Sequence, residues 1–218
     1  MTKQILVYAD SLSWGIIPMT RKRFAFDERW PGIVELTLNK MGKKVRVIED
    51  CLNGRRTMYE DPIRPGRNGL IGLQQRIEVN SPLALVILVL GTNDFQANHD
   101  HTSADAKRGM QALIEAIRTT TLEPGMLMPE ILVVAPPPIL KPKGDIAAKF
   151  EGGEKKCIGL AEAYKELCAE MHCHFFDAAT VTSSSKLDGV HFDADQHIAF
   201  GHAITALINK DFSHLFND

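Results

Sequence analysis

Two short polar segments near the ends of this 218-residue chain carry side chains suited to nucleophilic chemistry. Asp10-Ser11 follows the apolar run Ile5-Leu6-Val7, and Asp188-Gly189-Val190-His191 places an acid and a base three residues apart. A serine hydroxyl becomes an effective nucleophile when a histidine takes its proton and a carboxylate orients that histidine. We therefore consider Ser11, His191 and Asp188 a candidate triad, although most Asp-Ser pairs cap helices or form turns.

Two further segments could stabilise the oxyanion that forms when an ester carbonyl is attacked. They are Asn53-Gly54 and Gly91-Thr92-Asn93-Asp94. The backbone N–H groups of Ser11 and Gly54 and the side-chain amide of Asn93 would supply three donors, which is the usual form of an oxyanion hole. Each segment also has a simpler interpretation, because Asn-Gly is a common turn and the second could be a plain exit from a strand.

The elements that would position these residues can be read from the apolar pattern. Five apolar segments alternate with helical ones and predict strands at 4–8, 44–49, 84–90, 130–135 and 174–176. Helices are predicted at about 31–41, 69–79, 103–119, 154–171 and 194–208. This alternation predicts one domain over residues 1–218, an α/β protein with a five-stranded parallel sheet covered by helices on both faces.

In such a sheet, ligands bind outside the carboxyl ends of the strands. All four polar segments fall there or in the last loop before the final helix. Two long irregular segments, 53–67 and 136–153, also follow strands, so we expect them beside the site.

The four segments together resemble the sequence blocks of the SGNH-hydrolase superfamily, also called GDSL lipases and esterases. Trp14-Gly15, Glu151-Gly152-Gly153-Glu154 and Phe192 after His191 are similar to its bacterial arylesterase and acyltransferase branch. The resemblance implies a flavodoxin-like three-layer α/β/α sandwich. One position departs from the family pattern: Ala9 stands where the family has glycine. The methyl group would distort the nucleophile loop if that position needs a positive φ or tight packing, and alanine costs little if φ is negative.

The resemblance implies a serine esterase that hydrolyses small aryl or alkyl esters with short acyl groups through an acyl-enzyme, without a metal or an organic cofactor. An acyltransferase or perhydrolase, or a carbohydrate acetyl esterase, would use the same triad. A catalytically inactive scaffold with the same fold is the alternative outside enzymes. We expect Leu12, Phe150, Val190 and Phe192 to form the wall of an apolar substrate pocket, because they flank the catalytic residues or lie in a long loop.

The resemblance implies a small-molecule ester as the partner, and the composition argues against macromolecular partners. A net charge of −2 with scattered basic residues argues against nucleic-acid binding. The longest apolar run, 83–90, is too short for a membrane span, and the first residues lack a secretory signal, so we expect a cytoplasmic protein with its four cysteines reduced. The loop at 136–153 contains three consecutive prolines and apolar residues with no evident core position. We expect it to pack on a neighbouring subunit of a homo-oligomer.

Overall fold

The computed structural model describes residues 2–216. Its centre is a five-stranded, all-parallel sheet with the strand order β2-β1-β3-β4-β5. The strands are β1 (Lys3–Ala9), β2 (Val45–Cys51), β3 (Leu85–Val89), β4 (Glu130–Ala135) and β5 (His174–Asp177). The chain order reverses direction between β1 and β3, which is where open sheets of this type form a binding crevice.

Eight α-helices connect and cover the strands within this part of the chain. They are α1 (Ser11–Trp14), α2 (Trp30–Lys40), α3 (Leu73–Asn80), α4 (Ser103–Arg118), α5 (Gly153–Lys156), α6 (Leu160–Glu170), α7 (Ala194–Asp211) and α8 (Ser213–Phe216). The single helix predicted at 154–171 is in fact two, because Gly159 takes a left-handed conformation with φ +83° and separates α5 from α6. The helix predicted from residue 69 begins only at Leu73.

Side chains alternate between the two faces of the sheet and form two separate cores. Leu6, Val86 and Val133 point to one face, where they pack against α3, α4 and α6. Ile5 and Ile87 point to the other face, against α2, α7 and α8. Strands covered on both faces need continuous apolar sequence, which explains the uninterrupted runs of β3 and β4. The molecule is thus the three-layer α/β/α sandwich that the sequence predicts.

The long loop at 136–153 does not stand away from the protein. Ile139 and Phe150 are buried in the core on the α3, α4 and α6 face, and Ile146 packs against it. The expectation that its apolar residues have no core position is therefore wrong for Ile139, Ile146 and Phe150. These three reach the core because the loop folds back over the carboxyl end of the sheet, with Leu140 N–H donating to the carbonyl of Gly189 at 2.8 Å.

Candidate active site

Ser11 lies directly beyond the carboxyl end of β1, in the first turn of α1. Asp10 caps this short helix, and its Oδ1 accepts a hydrogen bond from the Leu12 N–H at 2.9 Å. Asp10 thus has the ordinary capping role of an Asp-Ser pair, while Ser11 is free to face the crevice. Ala9 is not among the residues with positive φ, so alanine costs no backbone strain at this position.

The structure brings Ser11, His191 and Asp188 into one hydrogen-bonded row. The Ser11 Oγ lies 3.2 Å from His191 Nε2, and His191 Nδ1 lies 2.7 Å from Asp188 Oδ2. All three residues are buried, with Ser11 the most exposed at 7%. In a neutral imidazole, Nδ1–H donates to Asp188 and Nε2 accepts from the Ser11 hydroxyl, which is the arrangement that prepares a serine for attack.

The turn at 188–191 holds the carboxylate and the imidazole in this relation. Asp188 Oδ1 accepts from the backbone N–H groups of Val190 at 2.9 Å and His191 at 3.0 Å, which leaves Oδ2 for the ring. Gly189 has φ +83°, and a Cβ there would lie 2.6 Å from the Lys141 carbonyl oxygen. Only glycine fits this turn. Asp193, and not Asp188, caps α7.

The pKa of Asp188 lies below its ordinary value. Burial alone would raise this pKa, but the hydrogen bond and charge of His191, together with the two backbone N–H donors, outweigh burial. Asp188 therefore stays ionised at neutral pH and can stabilise the imidazolium that forms when His191 accepts a proton.

Gly54 and Asn93, the expected oxyanion donors, line the same cavity as Ser11 and His191. Gly54 has φ +86°, a conformation that places its backbone in a tight turn beside the serine. The first N–H groups of a helix have no partner inside it, so the Ser11 N–H at the start of α1 is also suited to an oxyanion. Ser11, Gly54 and Asn93 thus line one cavity, and their role as oxyanion donors stays a prediction.

A buried chain of hydrogen bonds fixes the amide of Asn93, and sequence reasoning missed it. Arg56 Nη2 donates to Gln96 Oε1 at 2.7 Å, and Gln96 Nε2 donates to Asn93 Oδ1 at 2.7 Å. Asn93 Nδ2 in turn donates to Asp10 Oδ2 at 2.8 Å. No motif connects these four residues, although Arg56 and Gln96 each lie three residues or fewer from a predicted oxyanion residue.

Two carboxylates behind the nucleophile have raised pKa values. Burial raises the pKa of Asp10 to about 6, although the Leu12 N–H, the charge of His191 and the Asn93 amide act in the opposite direction. Burial likewise raises the pKa of Asp94 to about 7, against hydrogen bonds from Thr57 and the charge of Arg56. Neither carboxylate is among the residues that line the cavity, so both act on the site only through neighbouring groups.

The cavity above Ser11 has a volume of about 130 Å³. Of the four expected wall residues, only Phe150 lines it, together with Ile16, Met19 and Ile146. Leu12, Val190 and Phe192 do not. Their side chains are at most 1% exposed and belong to the two cores. Each of the three is next to a catalytic residue in sequence. Adjacent side chains point in different directions, so where the catalytic side chain faces the crevice its neighbour here points into the core.

Sequence reasoning missed the charged part of the cavity wall, which consists of Arg21, Arg64, Lys143, Asp145 and Lys149. Four of these five lie in the two long loops that were expected beside the site. The loops were therefore placed correctly, but which of their side chains would face inward depends on tertiary packing. Within residues 2–216, no group of three or more His, Cys, Asp or Glu side chains could hold a metal ion.

Comparisons with known proteins decide the family. Residues 10–202 match the GDSL-like lipase/acylhydrolase family. The chain belongs to this family. It is a carboxylic ester hydrolase, as the resemblance to SGNH hydrolases implies. A comparison with curated protein sequences gives no significant match.

Solved structures of esterases have the same architecture as this GDSL-family hydrolase. The native aryl esterase of M. smegmatis is 36% identical, with a TM-score of 0.89 over 95% of this chain and 99% of that one. A carbohydrate acetylesterase from Sinorhizobium meliloti is 32% identical, with a TM-score of 0.88 over 95% and 99%. The lipase/acylhydrolase from Enterococcus faecalis, at 17% identity and a TM-score of 0.64, shares the fold. In the described part of this hydrolase, no helix is long and apolar enough to cross a membrane.

Proposed function

We propose that this hydrolase cleaves small aryl or alkyl esters with short acyl groups through an acyl-enzyme on Ser11. The observation that carries the proposal is the row Ser11–His191–Asp188 at the floor of a small cavity. His191 Nε2 takes the Ser11 proton while Oγ bonds to the ester carbonyl carbon. The oxyanion then lies among the N–H groups of Ser11 and Gly54 and the amide of Asn93.

The two half-reactions use the same groups in turn. When the bond to the alcohol breaks, the imidazolium of His191 gives its proton to the leaving oxygen. Water then enters, His191 takes one of its protons, and the hydroxide oxygen bonds to the acyl carbon. Collapse of this second intermediate releases the acid and returns the proton to Ser11.

The dimensions of the cavity support a short acyl group. Its volume of about 130 Å³ is below the roughly 300–1,000 Å³ of sites for drug-sized ligands. The rate of ester hydrolysis should therefore fall from acetyl to decanoyl esters of one phenol. A rate that rises along this series contradicts the proposal for the acyl group but leaves the triad intact.

Deacetylation of a carbohydrate is a second candidate, favoured by the 32% identity to the carbohydrate acetylesterase. A panel of aryl acetates and sugar acetates decides between the two substrates. Repeating the panel with an added alcohol or peroxide detects acyl transfer, because both nucleophiles compete with water for one acyl-enzyme. Labelling of Ser11 by a serine-directed phosphonate would distinguish an active esterase, deacetylase or acyltransferase from an inactive scaffold.

We also propose that the chain is a cytoplasmic homo-oligomer. Its four cysteines are all free, which suits a reducing compartment. The loop at 136–153 gives less support for self-association than the sequence suggested, because Ile139 and Phe150 are buried in its own subunit. Leu140 at 38% exposure and Ile158 at 72% exposure remain available for contact with a second copy.

A further inference from the structure

The wall of the cavity above Ser11 is strongly positive. Four basic side chains line it: Arg21, Arg64, Lys143 and Lys149. The carboxylates among the lining residues are Asp145 and Asp188. Asp188 already serves His191 at 2.7 Å. An ester that enters this cavity is therefore surrounded by four cations and by one carboxylate, Asp145, besides the one that orients His191.

These four cations have no carboxylate partner at ion-pair distance in the described part of the chain. Within residues 2–216, none of them lies within 4.0 Å of an acidic group. Four other arginines in this part of the protein are paired with carboxylates, namely Arg23 and Arg29 with Glu49, Arg55 with Asp50, and Arg56 with Asp61. Lys143 Nζ donates to the Lys186 carbonyl, and Lys149 Nζ lies 5.8 Å from the centre of the Phe150 ring.

Lys149 is close enough to Arg64 and Arg21 to feel the repulsion of their charges. Desolvation is the largest cause of the lowered pKa of Lys149. The charge of Asp61 raises this pKa, and the charges of Arg64, Arg56 and Arg21 lower it. A bound anion would relieve this repulsion. Paired guanidinium and ammonium groups are the usual partners of carboxylate and phosphate groups in proteins.

One of these cations, Lys143, belongs to a loop on the side from which the alcohol part of the ester leaves. His191 must protonate the leaving oxygen, so the alcohol departs on the side of the turn at 188–191. The loop that carries Lys143 is attached to that turn, since the Lys143 N–H donates to the Asp188 carbonyl at 3.0 Å. We propose that the ester cleaved at this site carries an anionic group, a carboxylate or a phosphate, on its alcohol part.

This inference rests on the proposed esterase function and names its substrate class. The chemistry is unchanged: the bond between acyl carbon and alcohol oxygen breaks, His191 supplies the proton to that oxygen, and the anionic group stays ionised throughout. Attraction between the cations and the anion acts on binding as well as on the transition state. It should therefore appear mainly in KM and depend on ionic strength.

The test compares aryl acetates that differ in charge at the far end of the phenol. 4-Acetoxybenzoate and 4-acetoxyphenyl phosphate are the anionic substrates, and 4-acetoxybenzamide is the neutral reference, each corrected for its own hydroxide-catalysed rate. We expect kcat/KM for at least one anionic ester to exceed that of the neutral ester by about tenfold at low salt, and this ratio to shrink at high salt. The better of the two anions identifies the group.

Two sets of variants test whether the preference for anionic esters comes from the basic side chains of the cavity. Arg64→Gln combined with Arg21→Gln should reduce the anionic-to-neutral ratio towards one, and both side chains are exposed, so the fold should tolerate the change. Arg46→Gln is the matched control, because this arginine lies on β2, is 63% exposed in its side chain and does not line the cavity. The control should keep the wild-type ratio.

The outcomes separate the two proposals. If the wild type hydrolyses none of the three acetates, the proposed esterase function fails. If it hydrolyses the neutral ester and shows no preference for either anion, the esterase function stands and the anionic substrate is refuted. The inference is also refuted if the preference exists but the double variant and the Arg46→Gln control retain it equally.

Discussion

Replacement of Asn93 by alanine tests whether its amide stabilises the oxyanion or only supports the structure. Asn93 is 2% exposed and has two partners inside the protein, Asp10 at 2.8 Å and Gln96 at 2.7 Å. An oxyanion donor is worth about 10²–10³-fold in kcat. Because the oxyanion exists only in the transition state, KM should change little.

The same substitution also lowers stability, so the two effects have to be separated. Asn93→Ala leaves Asp10 Oδ2 and Gln96 Nε2 without a partner, and an orphaned buried polar group costs about 1–3 kcal/mol. Gln96→Leu is the matched control. It removes a partner from Asn93 and from Arg56 in the same buried network, but Asn93 keeps its amide and its bond to Asp10. Its stability should fall comparably, while its kcat should fall less than about tenfold.

The assay measures kcat and KM for an aryl acetate, with urea unfolding of each variant to confirm that the assayed protein is folded. The expected order of kcat is wild type, then Gln96→Leu, then Asn93→Ala well below both. Equal losses in the two variants would refute the reasoning. In that case the loss would come from disorder of the network, and Asn93 would not be a donor to the oxyanion.

Other expected outcomes follow from single contacts. Ser11→Ala should abolish ester hydrolysis without loss of helical circular dichroism, and near-wild-type turnover would exclude Ser11 as the nucleophile. Gly189→Ala should lower both kcat and the free energy of unfolding, because φ is +83° and a Cβ would lie 2.6 Å from the Lys141 carbonyl oxygen; unchanged kcat would mean that the turn does not set the triad. The pKa of Asp94 is raised to about 7, so the folded state binds a proton that the unfolded state releases between about pH 4 and 7, and stability falls as pH rises through that window. Urea unfolding at pH 5 and pH 8 should show a smaller loss of stability for Asp94→Asn than for the wild type, since Asp10 still contributes, and the variant should be the more stable protein at pH 8; an equal loss in both proteins would contradict this role of Asp94. Light scattering that gives 24.2 kDa at micromolar concentration would refute the homo-oligomer.

The sheet could be predicted because its signal is local. β3 and β4 are continuous apolar runs, which is what burial on both faces requires, and the predicted ends of β4 agree with the structure. The break between α5 and α6 could not be predicted in the same way. Gly159 occurs within an otherwise helical pattern, and a glycine there is compatible with either a continuous helix or a left-handed cap.

The row of Ser11, His191 and Asp188 was accessible from sequence because each catalytic side chain has a chemically distinctive type. The cavity wall was not, since wall residues are selected by shape and packing. Leu12 and Phe192 were expected in the wall because they are adjacent to catalytic residues in sequence. Their side chains point away from the catalytic ones and are buried in the core. Arg64 and Lys149 were overlooked because a basic residue in a loop looks the same whether it faces solvent or a cavity.

The network behind Asn93 shows how the fold can fix an amide that sequence cannot orient. An arginine only donates hydrogen bonds and an ionised carboxylate only accepts them, so a chain of amides between the two has one direction. Arg56, at 0% exposure, is the donor end, and Asp10, at 0% exposure, is the acceptor end. Neither Gln96 nor Asn93 can flip without setting two donors or two acceptors against each other, and neighbouring bonds in such a chain strengthen one another.

Asp10 is therefore used twice, through different oxygens. Its Oδ1 caps α1 and so sets the position of Ser11, while its Oδ2 holds Asn93 Nδ2 and so sets the direction of the amide. Protonation of Asp10, whose pKa is raised to about 6, would convert one of these oxygens into a donor and remove the fixed direction of the chain. Activity should then fall as the pH drops through the range in which Asp10 gains its proton. The fall should be smaller in Gln96→Leu, in which the chain is already interrupted, and an equal fall in both proteins would refute this role of Asp10.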